Sequence, residues 1–125
     1  MHRSRVGVLL IDHPPEVSDR ATRFWSEVVG VTPDLDEDGV YTSLGRVGSV
    51  LFETQQVGEG TESRIHLDVE TDEVDSEVKR LQGLGAEIAE VREGYVIMRD
   101  PGGLIFCVVP VQSGETFERE ATVWS

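Results

Sequence analysis

His66 stands in the run Ile65-His66-Leu67-Asp68-Val69-Glu70, where apolar and polar residues alternate. A period of two marks a half-buried strand, which puts His66 and Asp68 on one face of it. An imidazole titrates near neutrality, so it can pass a proton or ligate a metal, and the carboxylate adds negative charge beside it. The plain alternative is a His66 hydrogen-bonded inside the protein, with Asp68 and Glu70 reaching solvent at the sheet's edge. The one cysteine, Cys107, lies in a second apolar run, Leu104 to Val109. Such a cysteine is usually a small buried hydrophobe. As a reactive thiol it needs a neighbour that lowers its pKa, and His66 is the candidate. The other histidines, His2 and His13, flank the apolar stretch Val6 to Ile11. Tyr41 and Tyr95 are candidate flat walls for a binding site, but the sequence does not orient them.

These residues need elements to hold them. Val6 to Ile11 reads as a buried strand ending at Asp12-His13-Pro14-Pro15. Val17, Ala21, Phe24, Trp25 and Val28 fall at helical spacing and predict a helix with Pro15 in its first turn and Gly30 at its end. Phe24 and Trp25 are expected in the core or in the packing of the modules. Three strands follow, near Val31, across Val40 to Leu44, and across Val50 to Gln55, before a Gly- and Glu-rich linker, Val57 to Ser63. The order then restarts. The His66 strand leads into a helix with the stripe Val74, Val78 and Leu81, capped by Thr71 or Asp72 and stopped by Gly85. Strands are expected near Ala86–Val91, Tyr95–Met98 and Leu104–Val109, the last two joined by the turn Asp100-Pro101-Gly102-Gly103. The sequence reads as βαβββ written twice. A ferredoxin-like βαββαβ sandwich also carries two helices but needs only four strands.

The segments Arg23-Phe24-Trp25-Ser26-Glu27-Val28-Val29-Gly30, Ile65-His66-Leu67-Asp68-Val69 and Asp100-Pro101-Gly102-Gly103-Leu104-Ile105-Phe106-Cys107-Val108-Val109-Pro110 come in that order. In this the chain resembles the glyoxalase/bleomycin-resistance/dioxygenase superfamily, also called vicinal oxygen chelate proteins, and within it the small glyoxalase-like domains. The resemblance implies an α+β fold of paired βαβββ modules, about 5–57 and 63–110, forming a curved mixed sheet with a central trough. Residues 1–110 read as a single domain; 111–125, outside the resemblance, is a polar tail, disordered by default unless Trp124 anchors it on the domain or on a second subunit. The resemblance also implies a divalent metal held by His, Gln or Glu, and frequent dimers. His66 falls at a family ligand position, Glu53 near another, and Cys107 where a final-strand carboxylate is usual. The first strand, Val6 to Ile11, supplies no His, Gln or Glu. His66 is therefore the only firm family ligand, and no metal cofactor is expected; a divalent metal is the alternative.

Composition narrows the partners. The chain has 125 residues, 38% hydrophobic and 28% charged, as a soluble globule does. Twenty-four acids against eleven bases give −13, and Lys79 is the only lysine. A phosphate backbone meets net repulsion, so nucleic acid is not an expected partner. No apolar run approaches the ~20 residues of a membrane span, and Val6 to Ile11 is too short for a secretory leader. With one cysteine and no internal disulfide, the expected location is cytoplasmic. The charge excess reads first as a solubilising surface and second as an acidic cleft for a cationic ligand. The expected function is binding of a small organic molecule in the trough, with His66, Glu53, Asp68 and Cys107 as its contacts. The alternative is a lyase or isomerase using His66, with or without a divalent metal. A domain that works through a protein partner is the third reading.

Overall fold

The apolar run near the start forms a longer strand than its own pattern predicts. β1 covers His2–His13, and its first residues pair antiparallel with β9 (Thr122–Trp124), His2 opposite Trp124 and Ser4 opposite Thr122. That pairing joins residues 118 to 122 positions apart, so local periodicity cannot reveal it. The computed structural model describes residues 1–125 and divides into two compact units, Leu9–Ile65 and Met1–Val8 with His66–Ser125. No helix is long and apolar enough to cross a membrane.

The Leu9–Ile65 unit holds the end of β1, α1 (Pro15–Val29), β2 (Asp34–Leu35), β3 (Tyr41–Val47) and β4 (Val50–Gln56), with strand order β2-β3-β4-β1. Its core is Ile11, Leu44 and Phe52, with Leu9, Trp25 and Val29 packed against them. Trp25 meets Phe52 edge-on at 6.2 Å. Phe24, expected in the core or in module packing, is 58% exposed, and Val28 is exposed too. The helix is turned by one residue from its apolar stripe. Ser18, Thr22, Trp25, Ser26 and Val29 face inward, each one place after Val17, Ala21, Phe24, Trp25 and Val28. The Thr22 and Thr54 hydroxyls hydrogen-bond at 2.8 Å beneath the helix and hold that rotation. Gly30 ends α1 at φ 75°, a left-handed cap that suits glycine. The strand expected near Val31 is absent, because the Val31 amide also donates to the Ser26 carbonyl. The chain turns extended only at Asp34–Leu35, past Pro33.

The other unit holds the start of β1, β5 (Arg64–Thr71), α2 (Val74–Gly83), β6 (Glu87–Arg92), β7 (Tyr95–Arg99), β8 (Ile105–Pro110), α3 (Glu115–Glu120) and β9, with order β1-β5-β8-β7-β6. β5 runs parallel to β8, and β8 antiparallel to β7, so the sheet is mixed as expected. Val78 of α2 packs on Val96, Met98 and Val108, flanked by Val74 and Leu81 of the predicted stripe. Neither Thr71 nor Asp72 is the helix cap; Glu73 holds that place, without a side-chain cap bond. The reason is Arg3. The Thr71 hydroxyl donates to its carbonyl at 2.7 Å, and the Asp72 carboxylate accepts from its amide at 2.8 Å and its Nε at 2.9 Å. The tail is ordered, contrary to the default: Phe117 of α3 is 1% exposed and β9 lies on β1.

Candidate functional site

β5 and β8 bring three of the predicted site residues together. Val108 turns toward α2, so its neighbour Cys107 faces the other side of the sheet. The parallel register sets Cys107 beside Asp68. Alternation puts His66 on that same face, two residues before Asp68. His66 is 7% exposed, and its Nε2 lies 3.5 Å from Asp68 Oδ1. The ligating atoms of His66, Asp68 and Cys107 all lie within 4.8 Å of one another. One nitrogen, one oxygen and one sulfur thus converge on a single patch.

The fourth predicted residue, Glu53, belongs to the Leu9–Ile65 unit. It sits on β4 opposite Ser43, facing away from the Phe52 and Thr54 side that meets α1. Tyr41, on the same face of β3, accepts a hydrogen bond from Gln55 Nε2 at 3.1 Å. Tyr95 opens β7 and pairs with Arg92. His2 and His13 are engaged elsewhere, His2 with Glu77 Oε1 at 2.7 Å and His13 with Ser63 Oγ at 2.6 Å.

Glu70 does not reach solvent as the plain reading had it. It is fully buried and accepts from the amides of Gln112 at 2.7 Å and Ser113 at 2.9 Å, and from Ser113 Oγ at 2.5 Å. Arg5 Nε approaches at 3.4 Å, and a Cβ on Gly7 would collide with the carboxyl. Glu70 therefore fastens the tail. Glu77, also fully buried, was missed. Its signal was present, since it falls at i+3 from Val74, inside the apolar stripe of α2. Burial alone would push its carboxyl up. Hydrogen bonds from Arg80, Ser4 and His2, with the Arg80 charge, outweigh this and hold it below the usual carboxylate range. Trp124 closes the cage: its Nε1 donates to Ser4 Oγ at 2.8 Å, and the Arg80 guanidinium stacks 3.7 Å over its ring.

A family model described as a glyoxalase-like domain matches residues 9–109. The chain belongs to the glyoxalase-like domain family. Among solved structures it is similar to an NAD-dependent benzaldehyde dehydrogenase from Legionella pneumophila, with 8% identity and TM-score 0.61, over 83% of this chain and 99% of that one. It is also similar to 2,2',3-trihydroxybiphenyl 1,2-dioxygenase from the dibenzofuran-degrading Sphingomonas wittichii strain RW1, with 13% identity and TM-score 0.55, over 89% of this chain and 42% of that one. At such identities the likeness is one of fold, that of the vicinal oxygen chelate superfamily. Comparison with curated proteins returns no match.

The glyoxalase-like fold implies a divalent metal, and the chemistry of the three donors tests that. Zinc binds nitrogen, oxygen and sulfur at about 2.0–2.3 Å, so donors around a tetrahedral ion stand roughly 3.3–3.8 Å apart. The 3.5 Å between His66 Nε2 and Asp68 Oδ1 lies in that range. The 4.8 Å limit for the whole set is wider than a tetrahedral ion holds its donors. A mixed imidazole, carboxylate and thiolate set suits zinc better than calcium or magnesium, which prefer oxygen. Such an ion would take His66, Asp68 and Cys107 as three of its four ligands, with the fourth position open.

Proposed function

We propose that this glyoxalase-like protein binds a small organic molecule on the face of the β5–β8 sheet that carries His66, Asp68 and Cys107. The observation that supports this is the convergence of the three polar groups within 4.8 Å. Ligand sites are mostly apolar surfaces with a few polar groups that fix orientation. Ile97, opposite Cys107 on β7, supplies apolar surface beside the cluster. The Asp68 carboxylate accepts from an amine or hydroxyl of the ligand, and His66 Nε2 gives or takes a proton at the same group. The chain's −13 favours a cationic ligand over an anionic one. The test is thermal unfolding against a panel of cationic and aromatic compounds. A compound at 100 times its dissociation constant adds about 2.7 kcal/mol of stability. We expect a rise in Tm that disappears in His66→Ala; an undiminished rise in the variant counts against the reading.

The donor spacing also favours a second reading, a lyase or isomerase. A divalent ion at His66, Asp68 and Cys107 would serve as a Lewis acid for a substrate oxygen. His66 and Cys107 then hold the site in place, and Asp68 sets its charge. Metal-stripped protein titrated with Zn²⁺, Ni²⁺, Mn²⁺ and Fe²⁺ decides between the readings. A Tm rise with zinc that is lost in His66→Ala supports the metal-dependent one. No rise with any ion leaves the metal-free one.

A further inference from the structure

α1 packs on β3 and β4 through its inner face, and its outer face is left to solvent. That outer face carries apolar bulk. Phe24 and Val28, one turn apart, are 58% and 57% exposed, placed there by the one-residue rotation of the helix. Phe24 is not free to swing. Its ring meets Trp25 edge-on at 5.2 Å, and Trp25 is packed against the core. A large aromatic already held in place on a surface makes a good anchor, because covering it orders little more.

The charges around Phe24 say what covers it. At about 100° per residue, Arg20, Phe24 and Glu27 fall within about 60° of one another, opposite Ser18, Thr22 and Val29. Arg20, Arg23 and Glu27 are exposed and take part in none of the chain's ion pairs. A second α1 can lie antiparallel on the first, with a two-fold axis between residues 23 and 24. Arg20 then meets the second copy's Glu27, and Glu27 meets the second copy's Arg20. Phe24 meets the second copy's Arg23 and offers it a ring face. Moving the axis two residues toward the N-terminus sets Arg20 against Arg23 and Glu16 against Glu27. Moving it two residues the other way leaves Arg20 and Glu27 unmatched. A face that holds both halves of its own complement is what a two-fold contact requires. We propose that α1 is a homodimer face, where two copies of this chain pair antiparallel around Phe24 with reciprocal Arg20–Glu27 ion pairs. The resemblance implies dimers without a surface; Phe24, Arg20 and Glu27 supply one. One helix against one helix is a small interface, so the dimer is weak, with a micromolar dissociation constant. The −13 of each copy opposes it until salt screens the charge.

The test is sedimentation velocity of the full chain, from about 10 μM to about 1 mM, in about 0.15 M salt. The parent should pass from monomer to dimer across that range. Phe24→Asp should raise the dissociation constant at least tenfold and leave the far-UV dichroism unchanged. Arg20→Glu and Glu27→Arg should each raise it at least tenfold, since the first sets carboxylates against carboxylates and the second cations against cations. Mixed one to one, those two chains should form heterodimers at least as tight as the parent dimer. A parent that stays monomeric at the highest concentration overturns the proposal. So does a dimer undiminished by Phe24→Asp, or by either charge variant alone. A mixture of the two charge variants that associates no better than its components overturns it as well.

Discussion

Glu77 and Asp68 belong to the same compact unit, yet their carboxylates stand in opposite surroundings. Glu77 Oε1 meets His2 and Arg80 Nε at 2.7 and 2.8 Å, while Oε2 meets Ser4 and Arg80 Nη2 at 2.7 and 2.9 Å. Its side chain has no exposure. Asp68 keeps 16% exposure and meets His66 at 3.5 Å, beyond the usual hydrogen-bond length. A carboxylate with both oxygens matched is a fastening, here between the chain's beginning, its end and α2. One that shares a patch with a histidine and a thiol and stays within reach of solvent has no such set, and it is where the proposed ligand would sit. Burial and charge alone do not separate the two; the completeness of the partner set does.

Glu77→Ala is the strongest way to break this comparison. It leaves Arg80, His2 and Ser4 around an empty space, and breaking a buried ion pair costs about 3 kcal/mol. A drop in the urea midpoint at constant m should report it; a loss under about 1 kcal/mol would make the cage ornamental. The same carboxylate sets an acid limit. Its folded pKa lies below the ordinary value of 4.5, so its contribution is complete above that pH and is lost as pH falls through the lowered value. Glu77→Gln should flatten that acid limb of the stability curve. Ser113→Ala is the milder probe, because Glu70 keeps the two backbone amides of the tail. Loss of a hydrogen bond to a charged group costs about 1.5 kcal/mol, visible as a lower Tm and faster proteolysis after residue 110. Asp68→Asn should be the smallest, within about 0.5 kcal/mol of the parent. A large loss there would mean that Asp68 is a fastening too.

The sequence carried the architecture because each half combines a period-two run with a helical stripe and glycine stops. The α2 stripe packs as read, and β5 and β8 sit where the alternation and the Asp-Pro-Gly-Gly turn put them. Apolar pattern misjudged α1, since hydroxyls can face inward when they find partners, as Thr22 does with Thr54. The tail was legible only through Trp124 as an anchor, for a related reason. Its order depends on Glu70, Arg3 and Ser4, each more than 40 positions away. At the candidate site, alternation paired His66 with Asp68, but only the parallel register of β5 and β8 brought Cys107 beside them.

Cys107 is the one cysteine, so its alkylation reads the site with no competing signal. The measurement is the rate of iodoacetamide addition to Cys107, followed by mass, with zinc and with each stabilising compound. A ligand seated at His66, Asp68 and Cys107 should slow the reaction at least tenfold in the parent protein and leave the rate in His66→Ala unchanged. A compound that raises Tm without slowing alkylation, or slows it equally in both proteins, would contradict the assignment of this patch as the binding centre.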